Sequence, residues 1–319
     1  MKIVILDGYT LNPGDLSWEN MKNLGDCIIY DRTSPDEIIS RAKDVEILIT
    51  NKIVLTEAIM DNLPHLKYIG VLATGYNVVD VEAATKKGIV VTNIPAYSTN
   101  SVAQQAFALL LTITNQVEYH SQEVKKGRWS ACSDFAFWDK PLIELAGLTL
   151  GIIGFGHIGI QVARIAQAMG MNVITSSSKT QYELPEGVKK VDADTLFTIS
   201  DVISLHSPLT PETNLMINQK RLAQMKKTSI LINTARGGLI DEAALAKALN
   251  EESIYAAGVD VLSTEPPAKD NPLLSAKNCY ISPHVAWATL AARKRLMDIA
   301  VANVEAFIDG KALNRVNKG

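Results

Sequence analysis

The chain has 319 residues, of which 47% are hydrophobic and 20% charged, and its formal net charge is −3 at pH 7. This length suits two domains of typical size, and a pI of 6.0 gives no reason to expect nucleic acid or a membrane as a partner. Its 3 cysteines stand far apart without CxxC spacing, which favours a reducing, cytoplasmic location over a disulfide framework or a zinc site.

Strands and helices alternate over the first third of the chain. Apolar, β-branched runs predict buried strands at Ile3–Leu6, Ile47–Thr50, Tyr68–Val71 and Ile89–Thr92. Helix-start signals lie between these runs, at Ser34-Pro35-Asp36 and Thr56-Glu57. This alternation predicts a parallel α/β domain.

A long helix is predicted next. Ser101 and Gln104 have the spacing of a capping box, and the apolar run after them predicts one helix as far as about Glu123. The following segment, Arg128–Pro141, is rich in aromatic residues and predicts an ordered loop. Helix and loop together present more apolar surface than a monomer is expected to expose, which predicts a homodimer.

The clearest motif lies near the middle of the chain. Leu148–Ile153 is a short apolar run typical of a buried parallel strand, and helical periodicity follows as far as Gly170. Between them stands Gly154-x-Gly156-x-x-Gly159, the fingerprint of a dinucleotide-binding turn. Gly154 permits the tight turn, Gly156 lets the backbone approach a pyrophosphate, and Gly159 lets helix and strand pack closely. The phosphates would then lie on the helix amides.

The alternation resumes after this turn. Strands are predicted at Val173–Thr175, Val202–His206, Ile230–Asn233, Ala256–Val259 and Tyr280–Ser282. The two halves together predict an α/β fold with two doubly wound parallel-sheet domains. A final amphipathic helix is predicted from about Ala288 to Ile308.

Three polar residues follow predicted strand ends in the second half, where ligands bind in open α/β sheets. Arg236 precedes Gly237-Gly238, and its planar guanidinium suits a carboxylate or a polarised carbonyl oxygen; the alternative is a structural salt bridge. Glu265 and His284 each mean little alone, because such residues are usually solvated or structural. If they pair, the carboxylate would orient the imidazole and keep it protonated as an acid.

The remaining histidines are not chosen as catalytic groups. They are His65, His120, His157 and His206. His157 lies inside the fingerprint, where its backbone amide matters and its ring does not. No two histidines have the spacing of metal ligands, so no metal is expected.

Several motifs in order resemble those of the D-isomer-specific 2-hydroxyacid dehydrogenases. They are Gly154-x-Gly156-x-x-Gly159, Asn233-Thr234-Ala235-Arg236-Gly237-Gly238, Gly258-Val259-Asp260-Val261 with Glu265-Pro266, and Ser282-Pro283-His284. Within that family, Leu72–Asn77 and Asp134–Leu145 are most similar to the glycerate dehydrogenase or hydroxypyruvate reductase branch. The resemblance covers essentially the whole chain.

The resemblance implies a role for each matching residue. Arg236 would hold a 2-oxo acid, His284 would donate the proton, and Glu265 would orient the histidine. Thr74 and Gly75 would receive the substrate carboxylate with their backbone amides. Cofactor contacts are implied for His157, Ile158, Thr234, Ala235 and Asp260.

The family's domains are discontinuous. The resemblance therefore implies a flavodoxin-like substrate domain at 1–99 and 288–319, a Rossmann cofactor domain at 100–287, and a cleft between them. One departure has no functional interpretation from sequence. Gln104 and Gln105 stand where the family usually has an acidic residue followed by an aromatic residue or a histidine.

A second departure concerns the cofactor. The acid expected about twenty residues past the fingerprint, which binds the ribose hydroxyls, is missing. Ser177 takes its place, Ser178 offers a second hydroxyl, and Lys179 offers a cation to a 2′-phosphate. This predicts that NADP is preferred, with NAD possible. The alternative is an exposed serine-rich turn with no part in discrimination.

The predicted reaction is hydride transfer from a reduced nicotinamide to a small 2-oxo acid, either hydroxypyruvate or glyoxylate, giving D-glycerate or glycolate. Phosphoglycerate dehydrogenase and D-lactate dehydrogenase are the alternatives within the family. A non-catalytic, dinucleotide-sensing corepressor is the alternative from another class. The physiological substrate and the direction of the reaction stay open.

Overall fold

The computed structural model describes residues 1–317 and divides the chain into two compact units. Unit 1 comprises Met1–Ser98 together with the chain from Ala288 onward, and unit 2 comprises Thr99–Trp287. Each unit is built on one sheet whose strand pairs are parallel. The carboxyl ends of the strands therefore meet at one edge of each sheet.

The elements are numbered in chain order. The strands are β1 (Lys2–Ile5), β2 (Asp26–Ile29), β3 (Ile47–Thr50), β4 (Tyr68–Val71), β5 (Val90–Thr92), β6 (Thr149–Ile153), β7 (Asn172–Ser176), β8 (Val188–Lys190), β9 (Val202–Leu205), β10 (Ile230–Asn233), β11 (Ala256–Val259) and β12 (Cys279–Ile281). The α-helices are α1 (Glu19–Lys22), α2 (Ile38–Ala42), α3 (Glu57–Asp61), α4 (Val81–Lys86), α5 (Thr99–Asn115), α6 (Val117–Lys125), α7 (His157–Ala168), α8 (Ala193–Ile199), α9 (Gln219–Gln224), α10 (Glu242–Asn250) and α11 (Leu290–Ile308).

The sheet of unit 1 has the order β2-β1-β3-β4-β5, which is the order of flavodoxin-like folds. Every residue of β3 and β4 is buried, as expected of central strands covered on both faces. The sequence did not predict β2. Its residues alternate between exposed and half-buried at the sheet edge, so no continuous apolar run marks it.

The opposite edge of this sheet is covered by the end of the described chain. Val316 donates its N–H to the Val91 carbonyl at 2.8 Å. The Asn317 side chain accepts from the Val91 N–H at 2.9 Å and donates to the Ile89 carbonyl at 2.7 Å. Asn317 is buried, and these bonds satisfy backbone groups that an open edge strand would leave unpaired.

The sheet of unit 2 has the order β12-β11-β10-β9-β6-β7-β8. Counted from β6, this is the 3-2-1-4-5-6 order of the dinucleotide-binding fold with one more strand beyond it. The order reverses between β6 and β9, and ligands bind at such a switch point. The edge strand β8 was not predicted, because two of its three residues are exposed lysines.

The single long helix predicted from Ser101 to Glu123 is wrong. The chain forms α5 and α6 instead, because Gln116 between them has a left-handed backbone with φ of 51°. The predicted capping box is also wrong. The helix begins two residues earlier, at Thr99, and the Ser101 hydroxyl donates to the Ala286 carbonyl at 2.5 Å.

Other helix starts follow their capping signals. The side chains of Thr56 and Asp241 accept backbone N–H bonds at the starts of α3 and α10, and Thr289 does the same for α11. In unit 2, α5 packs against α7, β10 and β11. Across residues 1–317, no helix has both the length and the apolar character needed to cross a membrane.

Candidate active site

The glycine turn after β6 has the geometry of a dinucleotide cradle. Gly154 has a φ of +88°, and a Cβ added there would lie 2.6 Å from the backbone of His206 and Ser207. A Cβ on Gly159 would lie 2.4 Å from the Gly154 carbonyl oxygen. At Gly156, in contrast, an added Cβ would meet no atom of residues 1–317 within 4 Å. The turn thus leaves open space in front of Gly156, where a pyrophosphate is expected.

The amides at the start of α7 face this space without a cap. Gly156 is the N-cap residue of this 12-residue helix, and no side chain in the described part of the chain caps it. Within the described residues, the N–H groups of His157 and Ile158 have no recorded acceptor. Free amides and the positive end of the helix dipole form a site for phosphate.

Three buried polar atoms lie just past strand ends of unit 2. Among residues 1–317, Ser177 Oγ after β7, His206 Nδ1 after β9 and Thr234 Oγ1 after β10 have no hydrogen-bond partner. A buried polar atom without a partner is costly, so each points to a bond that a ligand supplies. These strands lie on both sides of the switch point. The residues therefore fit a nicotinamide dinucleotide along this edge of the sheet.

His206 is a candidate site residue that the sequence interpretation passed over. Its Nε2 lies 2.8 Å from Ser204 Oγ, and burial lowers its pKa to about 4. The ring is therefore neutral near pH 7. The only available signal was its position at the end of a predicted strand, close to the strand-end positions that selected Arg236 and His284.

The Ser177–Lys179 turn is held by its neighbours in a defined conformation. Lys190 Nζ donates to the Lys179 carbonyl at 2.5 Å. The Glu183 carboxylate accepts hydrogen bonds from the N–H and the hydroxyl of Thr180 at 2.7 and 2.8 Å. The negative charge of Glu183 is therefore engaged by Thr180, at the start of the short 3-10 helix Gln181–Glu183. Lys179 itself forms no salt bridge within the described part of the chain.

Arg236 stands on a turn that is braced by hydrogen bonds from its neighbours. Asn233 is fully buried at the end of β10, where its side chain donates to the Arg236 carbonyl at 2.9 Å and accepts from the Ala235 N–H at 3.0 Å. The guanidinium donates to the Ala235 carbonyl at 2.7 Å and, among the described residues, forms no salt bridge. The alternative of a structural salt bridge therefore finds no support in residues 1–317.

Backbone packing brings the arginine turn against the loop that carries Glu265. A Cβ on Gly237 would lie only 1.9 Å from the carbonyl carbon of Leu262, so the two backbones are in direct contact. Glu265 Oε1 accepts from the Leu262 N–H at 3.0 Å. Glycine at position 237 is thus required for Arg236 and Glu265 to lie on adjoining loops.

Glu265 and His284 form the pair that the sequence left as a possibility. Glu265 Oε2 lies 2.6 Å from His284 Nδ1, and both side chains are partly exposed. An ionised carboxylate can only accept, so Nδ1 carries the hydrogen and Nε2 is left for a substrate. His284 has a left-handed φ of 53°, a strained conformation that recurs at functional sites.

Asp260 lies at the centre of the segment that carries His284. Its carboxylate accepts from Ser282 Oγ at 2.6 Å, from the Val285 N–H at 3.0 Å and from the Ala286 N–H at 2.9 Å. Burial raises the pKa of Asp260 in spite of these bonds. Its implied contact with the cofactor stays a prediction, because three donors from its own chain already engage the carboxylate.

The Thr74–Gly75 turn of unit 1 is also braced from behind. The Thr74 hydroxyl donates to the Ile94 carbonyl at 2.8 Å, and Asn93 Nδ2 donates to the Thr74 carbonyl at 2.8 Å. Within residues 1–317, the N–H groups of Thr74 and Gly75 have no recorded acceptor. Two free amides on a fixed turn are suited to a carboxylate.

Comparison with known proteins identifies the family. Residues 107–286 match the model of the D-isomer specific 2-hydroxyacid dehydrogenase NAD binding domain. Hydroxypyruvate reductase from Blautia hydrogenotrophica is 52% identical over 100% of both chains. The chain belongs to the D-isomer-specific 2-hydroxyacid dehydrogenases. It is thus a nicotinamide-dependent oxidoreductase that acts on CH–OH donors and transfers hydride between the cofactor and small 2-oxo or 2-hydroxy acids.

Two further relatives support this assignment. Glycerate dehydrogenase from Methylorubrum extorquens is 43% identical to this chain over 90% of each sequence. A solved structure of an acyclic imino acid reductase, Bsp5, in complex with NADPH and D-Arg superimposes with a TM-score of 0.86 at 33% identity, covering 99% of this chain and 100% of the other. The cradle and the unpartnered polar atoms in unit 2 are consistent with a nicotinamide cofactor.

Proposed function

We propose that this dehydrogenase reduces hydroxypyruvate or glyoxylate to D-glycerate or glycolate, with NADPH preferred over NADH. The observation that carries the proposal is the His284–Glu265 pair at 2.6 Å, one loop away from Arg236, whose guanidinium forms no salt bridge among the described residues. An oriented imidazole and a free guanidinium are what the reduction of a 2-oxo acid needs. The names of the relatives from Blautia hydrogenotrophica and Methylorubrum extorquens support this substrate class.

Each residue has a defined task in this proposal. When bound, the reduced cofactor supplies the hydride to C2 of the substrate. His284 donates a proton from Nε2 to the carbonyl oxygen, while Glu265 holds Nδ1 and stabilises the protonated ring. Arg236 binds the substrate and stabilises the negative charge that develops on its oxygen. Thr74 and Gly75 offer their amides to the substrate carboxylate.

A substrate panel tests the reaction. We expect the highest kcat/KM with hydroxypyruvate or glyoxylate, and lower values with pyruvate and phosphohydroxypyruvate, measured by cofactor absorbance. Highest values with pyruvate or the phosphorylated acid would instead assign D-lactate or phosphoglycerate dehydrogenase. If no 2-oxo acid is turned over with either cofactor while NADPH still binds, the corepressor alternative is favoured.

The cofactor preference rests on the turn after β7. Ser177 Oγ is buried without a partner in the described residues, Lys179 forms no salt bridge there, and Lys190 Nζ holds the turn through the Lys179 carbonyl. No acid stands at the position that would repel a 2′-phosphate. The NADPH complex of Bsp5 shows that a relative of this fold accepts the phosphorylated cofactor.

Paired kinetics with the two cofactors test this preference. We expect a higher kcat/KM for NADPH, and Ser177→Asp should move the ratio toward NADH by weakening NADPH binding while kcat at saturation stays nearly unchanged. Ser177→Ala is the matched control, because it removes the hydroxyl without adding charge and should shift the ratio less. A clear NADH preference of the unmodified enzyme would refute the proposal.

We also propose a homodimer formed through α6 and the loop Arg128–Pro141, which is called the aromatic loop below. Within this loop Arg128 pairs with Asp139 at 2.5 Å and stacks on Phe137 at 4.3 Å, so the loop is ordered. Phe135 is nevertheless 93% exposed and Trp138 63% exposed. Ordered aromatic side chains that remain exposed are typical of an interface.

Sedimentation tests the oligomeric state. One chain has a mass of 34.7 kDa, and the proposal requires twice that mass at micromolar concentration. Phe135→Ser combined with Trp138→Ser should give the monomer. Tyr182→Ser is the matched control, since Tyr182 is fully exposed but lies outside this loop. A monomeric unmodified chain would reject the dimer.

The remaining proposals concern domain roles and location. We assign cofactor binding to unit 2, which carries the glycine cradle, and part of the substrate binding to unit 1, which carries Thr74 and Gly75. The cysteines at positions 27, 132 and 279 are free, and a cytoplasmic location stays a prediction. Localisation of the tagged full-length protein tests it, and recovery outside the cytoplasm would refute it.

A further inference from the structure

Gln105, which has no interpretation from sequence, is hydrogen-bonded to the segment that carries His284. Its Nε2 donates to Ser282 Oγ at 3.0 Å, and the Ser282 hydroxyl donates to Asp260 Oδ1 at 2.6 Å. An amide nitrogen only donates, so the single hydroxyl hydrogen must point to Asp260. Gln105 therefore sets the direction of the bond that Asp260 receives.

Asp260 in turn holds the backbone of His284 and of the two residues that follow it. Its main-chain carbonyl accepts from the His284 N–H at 2.8 Å, and its carboxylate accepts from the N–H groups of Val285 and Ala286. These bonds keep His284 in its left-handed conformation, which residues with a side chain rarely adopt.

Helix α5 contacts this segment at two points one turn apart. Ser101 donates to the Ala286 carbonyl at 2.5 Å, and Gln105, four residues later, donates to Ser282. Residues four apart lie on the same face of a helix, so this face of α5 contacts the segment both before and after His284. Gln104 is exposed and makes no recorded side-chain bond among the described residues.

We propose that Gln105 is a positioning residue for the reduction: through Ser282 and Asp260 it holds the His284 imidazole where its proton can be delivered to the substrate. This inference rests on the function proposed above. Gln105 does not touch the reacting atoms and acts only through the histidine segment. The titratable groups in this network are Asp260, His284 and Glu265.

The test compares Gln105→Leu and Gln105→Glu with the control variants Gln104→Leu and Gln104→Glu. Leucine removes the donor, and we expect kcat for hydroxypyruvate to fall about fivefold, the effect of one neutral hydrogen bond. KM and NADPH affinity should stay within about twofold, because the binding groups are not displaced. The Gln104 variants should match the unmodified enzyme.

Gln105→Glu adds a pH signature. An ionised glutamate only accepts, so it competes with Asp260 for the Ser282 hydrogen and places a second negative charge in the network. We expect a larger loss of kcat than with leucine at pH 8. As the pH falls toward 5 the new carboxyl takes up a proton and can donate again, so the ratio to the unmodified enzyme should recover. The leucine variant should show no such recovery.

A spectroscopic measurement is independent of turnover. In protein labelled with 15N-histidine, the His284 ring signals are those missing from a His284→Asn variant. We expect these signals to shift in Gln105→Leu and in Ser282→Ala, and to stay in place in Gln104→Leu. If the Gln105 variants do not fold, Ser282→Ala carries the same kinetic and spectroscopic tests.

The outcomes separate the two proposals. The positioning role would be overturned if kcat and the His284 signals were unchanged in the Gln105 variants. It would also be overturned if these variants only had a lower melting temperature. Additive losses in the Gln105→Leu, Ser282→Ala double variant would also contradict it, since residues in one chain of bonds should not act independently. If the unmodified protein reduces no 2-oxo acid, the proposed function fails, while the His284 signals still decide whether Gln105 positions the ring.

Discussion

Adding one methyl group at two glycines of the same turn should have opposite consequences. A Cβ on Gly156 would meet no atom of the described residues within 4 Å, and one on Gly159 would lie 2.4 Å from the Gly154 carbonyl oxygen. We therefore expect Gly156→Ala to fold normally but bind cofactor poorly, because the methyl occupies the space of the pyrophosphate. Gly159→Ala should be unstable, because α7 must move away from β6.

The magnitudes follow from these contacts. Forcing an extra methyl into a packed site costs about 1–3 kcal/mol, which for a unit of this size lowers the melting temperature by about 2–4 °C per kcal/mol. Gly156→Ala has no clash, and at an N-cap position alanine costs at most about 1 kcal/mol relative to glycine. Displacing the pyrophosphate by the width of a methyl should weaken cofactor affinity about 10- to 100-fold.

Two measurements decide the matter: thermal unfolding without cofactor, and NADPH titration by fluorescence. The Gly156→Ala variant should unfold close to the unmodified protein and bind weakly, and Gly159→Ala should unfold earlier. Normal NADPH affinity in Gly156→Ala would refute the cradle. A Gly159→Ala variant of unchanged or higher melting temperature would show that the close contact between helix and strand carries no cost.

Three further outcomes are expected. His284→Asn should lower kcat about 10²- to 10⁴-fold without changing NADPH affinity. In the unmodified enzyme, the rate of reduction should fall as pH rises, while the rate of oxidation of the hydroxy acid should increase. Steady-state rates that do not change with pH would contradict the acid role of His284. Burial lowers the pKa of His206 to about 4, below the unfolded value of about 6.5, so the unfolded chain binds an extra proton between these pH values. The free energy of unfolding should therefore fall by about 3 kcal/mol as the pH drops from about 6.5 to about 4. If His206→Gln loses as much stability as the unmodified protein over this pH range in urea unfolding, the reasoning is wrong. Asn317→Ala should lower the free energy of unfolding by about 2 kcal/mol, because it leaves the Val91 N–H and the Ile89 carbonyl unpaired at a buried sheet edge. A chemical denaturation midpoint equal to that of the unmodified protein would exclude this contribution.

Central strands were predictable from sequence, whereas the edge strands β2 and β8 were not. β3, β4 and β10 are buried along their whole length because both of their faces are covered, and their sequences are therefore mainly apolar. β2 and β8 face solvent at sheet edges, and their mixed sequences resemble loops. The break between α5 and α6 falls at Gln116, a residue type that carries no helix-stop signal, so only the structure shows it.

The site residues were predictable as candidates but not as a constellation. Position after a strand end selected Arg236, Glu265 and His284, because carboxyl ends of parallel strands share one edge. The same rule applied to His206, which was passed over since a lone histidine is more often structural. Nothing in the local sequence marks Gln105, because its partner Ser282 lies far along the chain.

The sequence by itself determined the alternation of strands and helices, the glycine turn and the family, because these depend on local periodicity and on short motifs. Only the tertiary structure decided which side chains meet. The 2.6 Å contact between Glu265 and His284 and the contact of Gln105 with Ser282 join residues 19 and 177 positions apart. Such contacts arise from strand order and from close backbone packing at Gly237, and neither leaves a periodic signal in the chain.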